Sequence, residues 1–147
     1  MEKLEVKIIN KSGNKLPFYA SEGSVGVDLL AYLHESVEIP PFQRVLIPTG
    51  IYMELPIGYE AQVRPRSGLA LKSGVTVLNT PGTIDSDYRG EIGVILINLS
   101  DKTFVVNNGD RIAQMVISKY EKVSFSEVSE LTVTERGEGG FGHSGVN

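Results

Sequence analysis

Cysteine and tryptophan are absent from this sequence, and histidine occurs only as His34 and His143. Without cysteine there is no disulfide, no thiolate metal ligand and no cysteine nucleophile. Two histidines cannot build a histidine-rich zinc centre within one chain. Long apolar runs are missing too: none approaches the about 20 residues that a bilayer-crossing helix needs. The opening residues, MEKLEVKIIN, are charged and alternating and hold no apolar signal-peptide core. An excess of positive charge is also lacking. The net charge is -4, so there is no general basic footprint for nucleic acid. Any arginine that serves a ligand must act locally. The expectation is a soluble, cytoplasmic protein with neither nucleic acid nor a membrane as partner.

What is present suits one domain. The chain has 147 residues, 41% of them hydrophobic, enough for a sizeable core. Short apolar or alternating runs predict strands at 4–9, 25–33, 36–39, 43–47, 50–55, 59–64, 92–99 and 111–120. Prolines at 40, 41, 48 and 56 punctuate them, as suits strand ends and edges. The run Ile92 to Leu99 is the most apolar and reads as a central strand or one buried on both faces. Residues 111–120 have a spacing that also passes for a helix, and the short, turn-bounded surroundings favour a strand. Only Ser67 to Ser73 reads as a helix, with Gly74 as its C-terminal cap. Many short strands with almost no helix predict an all-β barrel or sandwich.

The densest polar stretch is Val75 to Ile92, VTVLNTPGTIDSDYRGEI. It is expected to form a hairpin turning at Thr80-Pro81-Gly82, with Pro81 and Gly82 at the centre of a type II turn. Asn79 then lies near one end of the loop and Asp85 just past the other. Such a mouth could hold a flat polar molecule, with Asp85 facing whatever is attached to it. The plainer reading is a turn whose aspartates cap backbone N–H groups.

Four other places carry candidate chemistry. Arg66 and Ser67 open the short helix, where backbone N–H groups and a bidentate guanidinium suit a phosphate. The alternative is an ordinary cap with an exposed arginine. Asp28 sits among apolar neighbours and must be paired, hydrogen-bonded or near a cation. It could hold a water of a hydrated Mg2+, or bond only to backbone. Gln114 interrupts an apolar strand and offers an amide to a ligand oxygen or to neighbouring backbone. The tail from Glu135 onward is glycine-rich. Its G-x-G-x-x-G is not a dinucleotide fingerprint, because no helix can follow it and no βαβ unit precedes it. Its glycines could instead wrap a polyphosphate, with Arg136 supplying charge and Phe141 a stacking face. A tail without a role is the other reading.

Taken in order, VGVDLLA at 25–31, PRSGLA at 65–70, NTPGTIDSDYRGEI at 79–92, GDRIAQMV at 109–116 and RGEGGFGHSG at 136–145 resemble the five motifs of the trimeric dUTP pyrophosphatase (dUTPase) family. Each is weak alone; together and in order they are highly specific. Val25 stands where alanine is common in the family, and His143-Ser144 where many members have Ser-Thr. The resemblance implies a jelly-roll-like β-barrel with one short helix, spanning residues 1–134, and a flexible lid motif at 135–147. It implies a homotrimer with active sites shared between subunits, and Mg2+-assisted hydrolysis of dUTP to dUMP and pyrophosphate. That reaction limits uracil incorporation into DNA and supplies dUMP for thymidylate synthesis.

The resemblance also assigns roles. Asp85 falls on the general base. Tyr88 falls beneath the deoxyribose, and Asn79, Thr83 and Ile84 fall in the uracil pocket. Arg66, Ser67, Gly68 and Gln114 fall on phosphate-contacting positions, and Asp28 on the magnesium water shell, through water. In the lid, Phe141 would stack on uracil beside Gly142, with Arg136 and Ser144 on the γ-phosphate. The nearest alternatives are a dCTP deaminase of the same superfamily and a trimer that binds nucleotides without turnover.

Overall fold

The structure is a computed structural model and describes residues 1–145. Val146 and Asn147, the last two positions of the expected lid, lie outside the described residues. The elements run β1 (Lys7–Asn10), β2 (Val27–Leu30), β3 (Val37–Ile39), β4 (Arg44–Pro48), β5 (Ile51–Glu54), β6 (Tyr59–Arg64), α1 (Ser67–Ser73), β7 (Val75–Val77), β8 (Gly82–Ile84), β9 (Gly93–Asn98), β10 (Phe104–Val106) and β11 (Arg111–Lys119). The helix falls where its sequence pattern put it. Gly74, at φ 65°, ends it by donating its N–H to the carbonyls of Leu69 and Ala70. β10 carries too short an apolar run to stand out, and it forms because Val106 is pulled fully into the core beside β3.

The fold is all-β with one short helix, but the expected barrel is not there. Pairing stops within four separate sheets, ordered β1-β5, β10-β3, β2-β11-β6-β8 and β4-β9-β7. A barrel needs an unbroken ladder of hydrogen bonds around its circumference. Here the four-stranded sheet ends at β8, only three residues long. At its other edge β2 is met by an irregular segment, through the Tyr19–Val27 bridge and the Asp28 N–H bond to the Phe18 carbonyl at 3.1 Å.

The sheets share one core. Leu29, Ile39, Ile47, Val75, Val77, Val94, Leu96, Val106 and Ile112 are all fully buried in it. Branched side chains suit this pleated, interdigitated packing. β9 is central, between β4 and β7, as its apolar run implied. Its burial still alternates: Val94, Leu96 and Asn98 face the core and Ile95 and Ile97 are half-buried. β11 is a strand, central between β2 and β6.

The expected hairpin is also corrected. β7 pairs with β9 in the three-stranded sheet, whereas β8 pairs with β6 in the four-stranded one. The loop between them therefore crosses from one sheet to another. Its turn lies at Val77–Thr80, closed by the Thr80 N–H bond to the Val77 carbonyl at 3.2 Å. The Thr80–Pro81 peptide is cis, and Gly82 is an extended strand residue opposite Val63, not the positive-φ centre of a type II turn. The site is closely packed around Gly82 without excluding a side chain. A Cβ on Gly82 would lie 3.4 Å from both Val63 Cβ and the Asn79 amide nitrogen.

Candidate active site

Nine of the predicted site residues, Asp28, Arg66, Ser67, Gly68, Thr83, Ile84, Asp85, Tyr88 and Gln114, gather into two clefts on a single chain. The first lies at the ends of β2, β6 and β11 and encloses about 340 Å³. Register explains its composition. Gln114 on β11 faces Asp28 on β2 and Arg64 on β6, so three polar side chains stand side by side across adjacent strands. Arg66, Ser67 and Gly68, where β6 gives way to α1, close one wall. The Gln114 amide donates to the Pro65 carbonyl at 3.0 Å, tying this turn to the sheet. Gly26 makes room for it: a Cβ there would run into the Gln114 amide oxygen.

Asp28 is buried and carries no isolated charge. Its Oδ1 lies 3.3 Å from Arg66 Nε and its Oδ2 3.7 Å from Arg111 Nη1. Of the readings open from the sequence, this is the paired one. Arg111 was not among the candidates, yet it lines the same cleft.

The second cleft, of about 210 Å³, is lined by Thr83, Ile84, Asp85, Tyr88, Glu91, Ile92 and Gly93. Asp85 follows the last residue of β8 and is exposed. The loop after it is held at several points. The Tyr88 N–H bonds the Asp85 carbonyl at 3.2 Å and the Tyr88 hydroxyl donates to the Glu91 carbonyl at 2.8 Å. Arg89 donates to the Ser86 carbonyl at 2.7 Å and to Glu54 at 3.1 Å. Glu91 accepts from the Gly50 N–H at 2.9 Å, and the neighbouring Ile92 carbonyl accepts from the buried Thr49 hydroxyl at 2.6 Å. Asn79 is exposed at the crossing loop, its amide against Gly82.

The tail joins neither cleft. Arg136, Phe141, Gly142 and Ser144 are absent from both linings. Arg136 Nε instead bonds the Gly139 carbonyl at 2.8 Å, and Phe141 stands fully exposed with a left-handed φ of 51°. Between the last strand and this motif, residues 121–138 are exposed throughout, including Val123, Phe125, Leu131 and Val133.

Among the described residues no three His, Cys, Asp or Glu side chains converge on a metal position, so a cage made only of protein does not fit. Both oxygens of Asp28 already face guanidiniums, so it offers a cation no free direct ligand. Among the same residues no helix is long and apolar enough to cross a membrane.

The chain is similar to known proteins along nearly its whole length. The family model described as dUTPase matches residues 13–145. The deoxyuridine 5'-triphosphate nucleotidohydrolase of Finegoldia magna is 54% identical over 142 residues, covering 97% of this chain and 99% of its own. A mutant dUTPase of Staphylococcus bacteriophage 80alpha, with dUpNHpp, superposes with a TM-score of 0.88 at 25% identity, over 98% of this chain and 100% of that one. A mutant dUTPase of phage phi11 of S. aureus, described for the coordination of a structural Mg(II) ion, gives 0.79 at 21% identity, over 88% and 100%. A full-length sequence match, a shared fold and polar clefts built from the motif residues lead to one conclusion: the chain belongs to the dUTPase family.

Proposed function

We propose that hydrolysis of dUTP to dUMP and pyrophosphate, the reaction this chain shares with its family, takes place at a site assembled from the two clefts and the tail of different copies in a homotrimer. One observation carries this reading. The phosphate-type residues Arg66, Ser67, Gly68 and Gln114 line one cleft, Asp85 and Tyr88 line another, and Arg136 and Phe141 reach neither. The exposed apolar residues of the 121–138 arm add support, because burying them against a second copy removes their contact with water.

In this reading Asp85 accepts a proton from a water that attacks the α-phosphorus. The new P–O bond forms as the bond to the bridging oxygen of the β-phosphate breaks, and pyrophosphate leaves. Asp85 then releases its proton to solvent. Arg66, the Ser67 hydroxyl, the Gly68 N–H and Gln114 hold the phosphate oxygens and align them for in-line displacement. Asn79 and the backbone of Thr83 and Ile84 read the edge of uracil. An N–H aimed at a carbonyl oxygen has no use for the amino group of cytosine. The Tyr88 ring leaves no room for a 2′-hydroxyl. Arg136 and Ser144 close on the γ-phosphate, while Phe141, with Gly142 beside it, stacks on the base and excludes water. Mg2+ carried on the triphosphate would neutralise phosphate charge, with Asp28 accepting from one of its waters.

Product analysis tests the reaction. Incubation with dUTP and Mg2+, with dCTP, dTTP and UTP in parallel, should yield dUMP and pyrophosphate from dUTP alone. Deamination of dCTP would move the chain to the sister activity. Tight dUTP binding without products would make it a binding trimer.

A further inference from the structure

Asp28 is met by two guanidiniums, although the proposed phosphate contacts use only Arg66. The second, Arg111, reaches it through an irregularity in β11. Gln114 pairs with Asp28 and Ala113 with Leu29, but Arg111 pairs with Leu30, so Ile112 is one extra residue on β11. Regular alternation would turn Arg111 to the same face as Ala113, which is fully buried. The bulge sends both Ile112 and Ala113 into the core, 1% and 0% exposed, and returns Arg111 to the face of Gln114 and Asp28. Bulges commonly re-aim a side chain in this way.

The surroundings hold Arg111 there. Its guanidinium lies 5.6 Å from the centre of the half-buried Phe18 ring, and the Phe18 carbonyl accepts from the Asp28 N–H. Arg66 is in turn gripped twice. Its Nε faces Asp28 and its Nη1 donates to the Arg111 carbonyl at 3.4 Å, which fixes the plane of the guanidinium. One carboxylate between two guanidiniums keeps the cluster net positive. A lone Asp28–Arg66 pair would be neutral and would attract a polyphosphate less.

We infer that Arg111 is a positioning residue: it holds and neutralises Asp28, and Asp28 sets the guanidinium of Arg66 for the triphosphate. The inference rests on the reading of Arg66 as a phosphate ligand. Its test is a double-mutant cycle on dUTP hydrolysis in Mg2+, with thermal unfolding of every variant. Arg66→Ala alone should lower kcat/KM. Arg111→Ala should lower it by about tenfold to a hundredfold, because a small misplacement of a positioned group can cost about 10²-fold. In the Arg66→Ala background the same change should add little. Arg111→Lys, which keeps a charge for Asp28, should recover part of the loss. If Arg111→Ala does not fold, Arg111→Gln serves in its place. An unchanged kcat/KM with only a lower Tm, or a full additive loss in the double variant, would overturn the inference while leaving the Arg66 reading intact. An Arg66→Ala enzyme with normal kinetics would overturn both.

Discussion

The hydroxyl of Tyr88 donates to the carbonyl of Glu91 at 2.8 Å, bending the ring back over its own loop. Gly90 lies beneath that ring, so close that any Cβ would overlap it. Gly90→Ala should therefore displace Tyr88 while leaving the core untouched. If the ring excludes a 2′-hydroxyl, the ratio of kcat/KM for dUTP over UTP should fall, chiefly through a gain on UTP. Parallel kinetics on the two nucleotides measure it, and an unchanged ratio would remove Tyr88 from sugar selection.

Asp85→Asn should abolish turnover while leaving affinity for a non-hydrolysable dUTP analogue near normal. Asparagine keeps the shape of the side chain but cannot accept the water's proton. General-base contributions are typically about 10²- to 10⁴-fold, so kcat should drop by at least about 10². Retention of a near-normal rate would exclude Asp85 as the base.

Gly26→Ala should act on Gln114 at a distance from any reacting atom. The added methyl would push the Gln114 amide aside and disturb its bond to the Pro65 carbonyl. KM for dUTP should rise, by roughly tenfold if the phosphate contact is lost by misplacement. Gln114→Ala gives the comparison, and the two variants should resemble one another.

Removing residues 136–147 should leave the core intact, because the motif makes no hydrogen bond to any strand among the described residues. Activity should nevertheless be largely lost. Mixed trimers of the truncated chain with Asp85→Asn chains should regain part of it, since some sites then take Asp85 and a tail from different copies. No recovery in verified mixed trimers would argue against shared sites.

Asn98→Leu tests the core. The buried Asn98 side chain donates to the carbonyls of Ile39 and Lys102 and accepts from the Ser100 N–H and hydroxyl. Leucine would take the donor from the buried Ile39 carbonyl and the acceptor from the Ser100 N–H, while the Ser100 hydroxyl and the Lys102 carbonyl keep their bond to each other. An unsatisfied buried group costs about 1–3 kcal/mol, so chemical denaturation at fixed protein concentration should show a loss of about 2 kcal/mol.

Much of this was legible in the residues because it depends on local chemistry. The helix at Ser67–Ser73 needed only a short non-β run and a glycine able to adopt positive φ at Gly74. β6 and β11 showed through apolar spacing between turn residues. The motifs pointed to a family because five of them occur in its order, although Arg66-Ser67-Gly68 alone is equally an ordinary helix cap. β10 and the bulge at Ile112 were not legible: both arise from what a neighbouring strand demands, and Arg111 accordingly escaped notice. The crossing loop misled for the same reason. Pro81-Gly82 is as compatible with a tight hairpin as with a link between sheets, and only the pairing of β7 with β9 and β8 with β6 decides between them.

By itself, then, the sequence determined the all-β class, the position of the one helix, the family and the chemical types at each candidate position, since propensity and periodicity reside in near neighbours and motif order is written directly along the chain. Tertiary structure decided how the strands divide into open sheets, that Asp28 is neutralised by Arg66 and Arg111, and that Asp85 and Arg66 line separate clefts. Those outcomes depend on long-range register and on burial. A one-residue change in pairing redirects a side chain from core to cleft, and no local pattern records which partner strand imposes it.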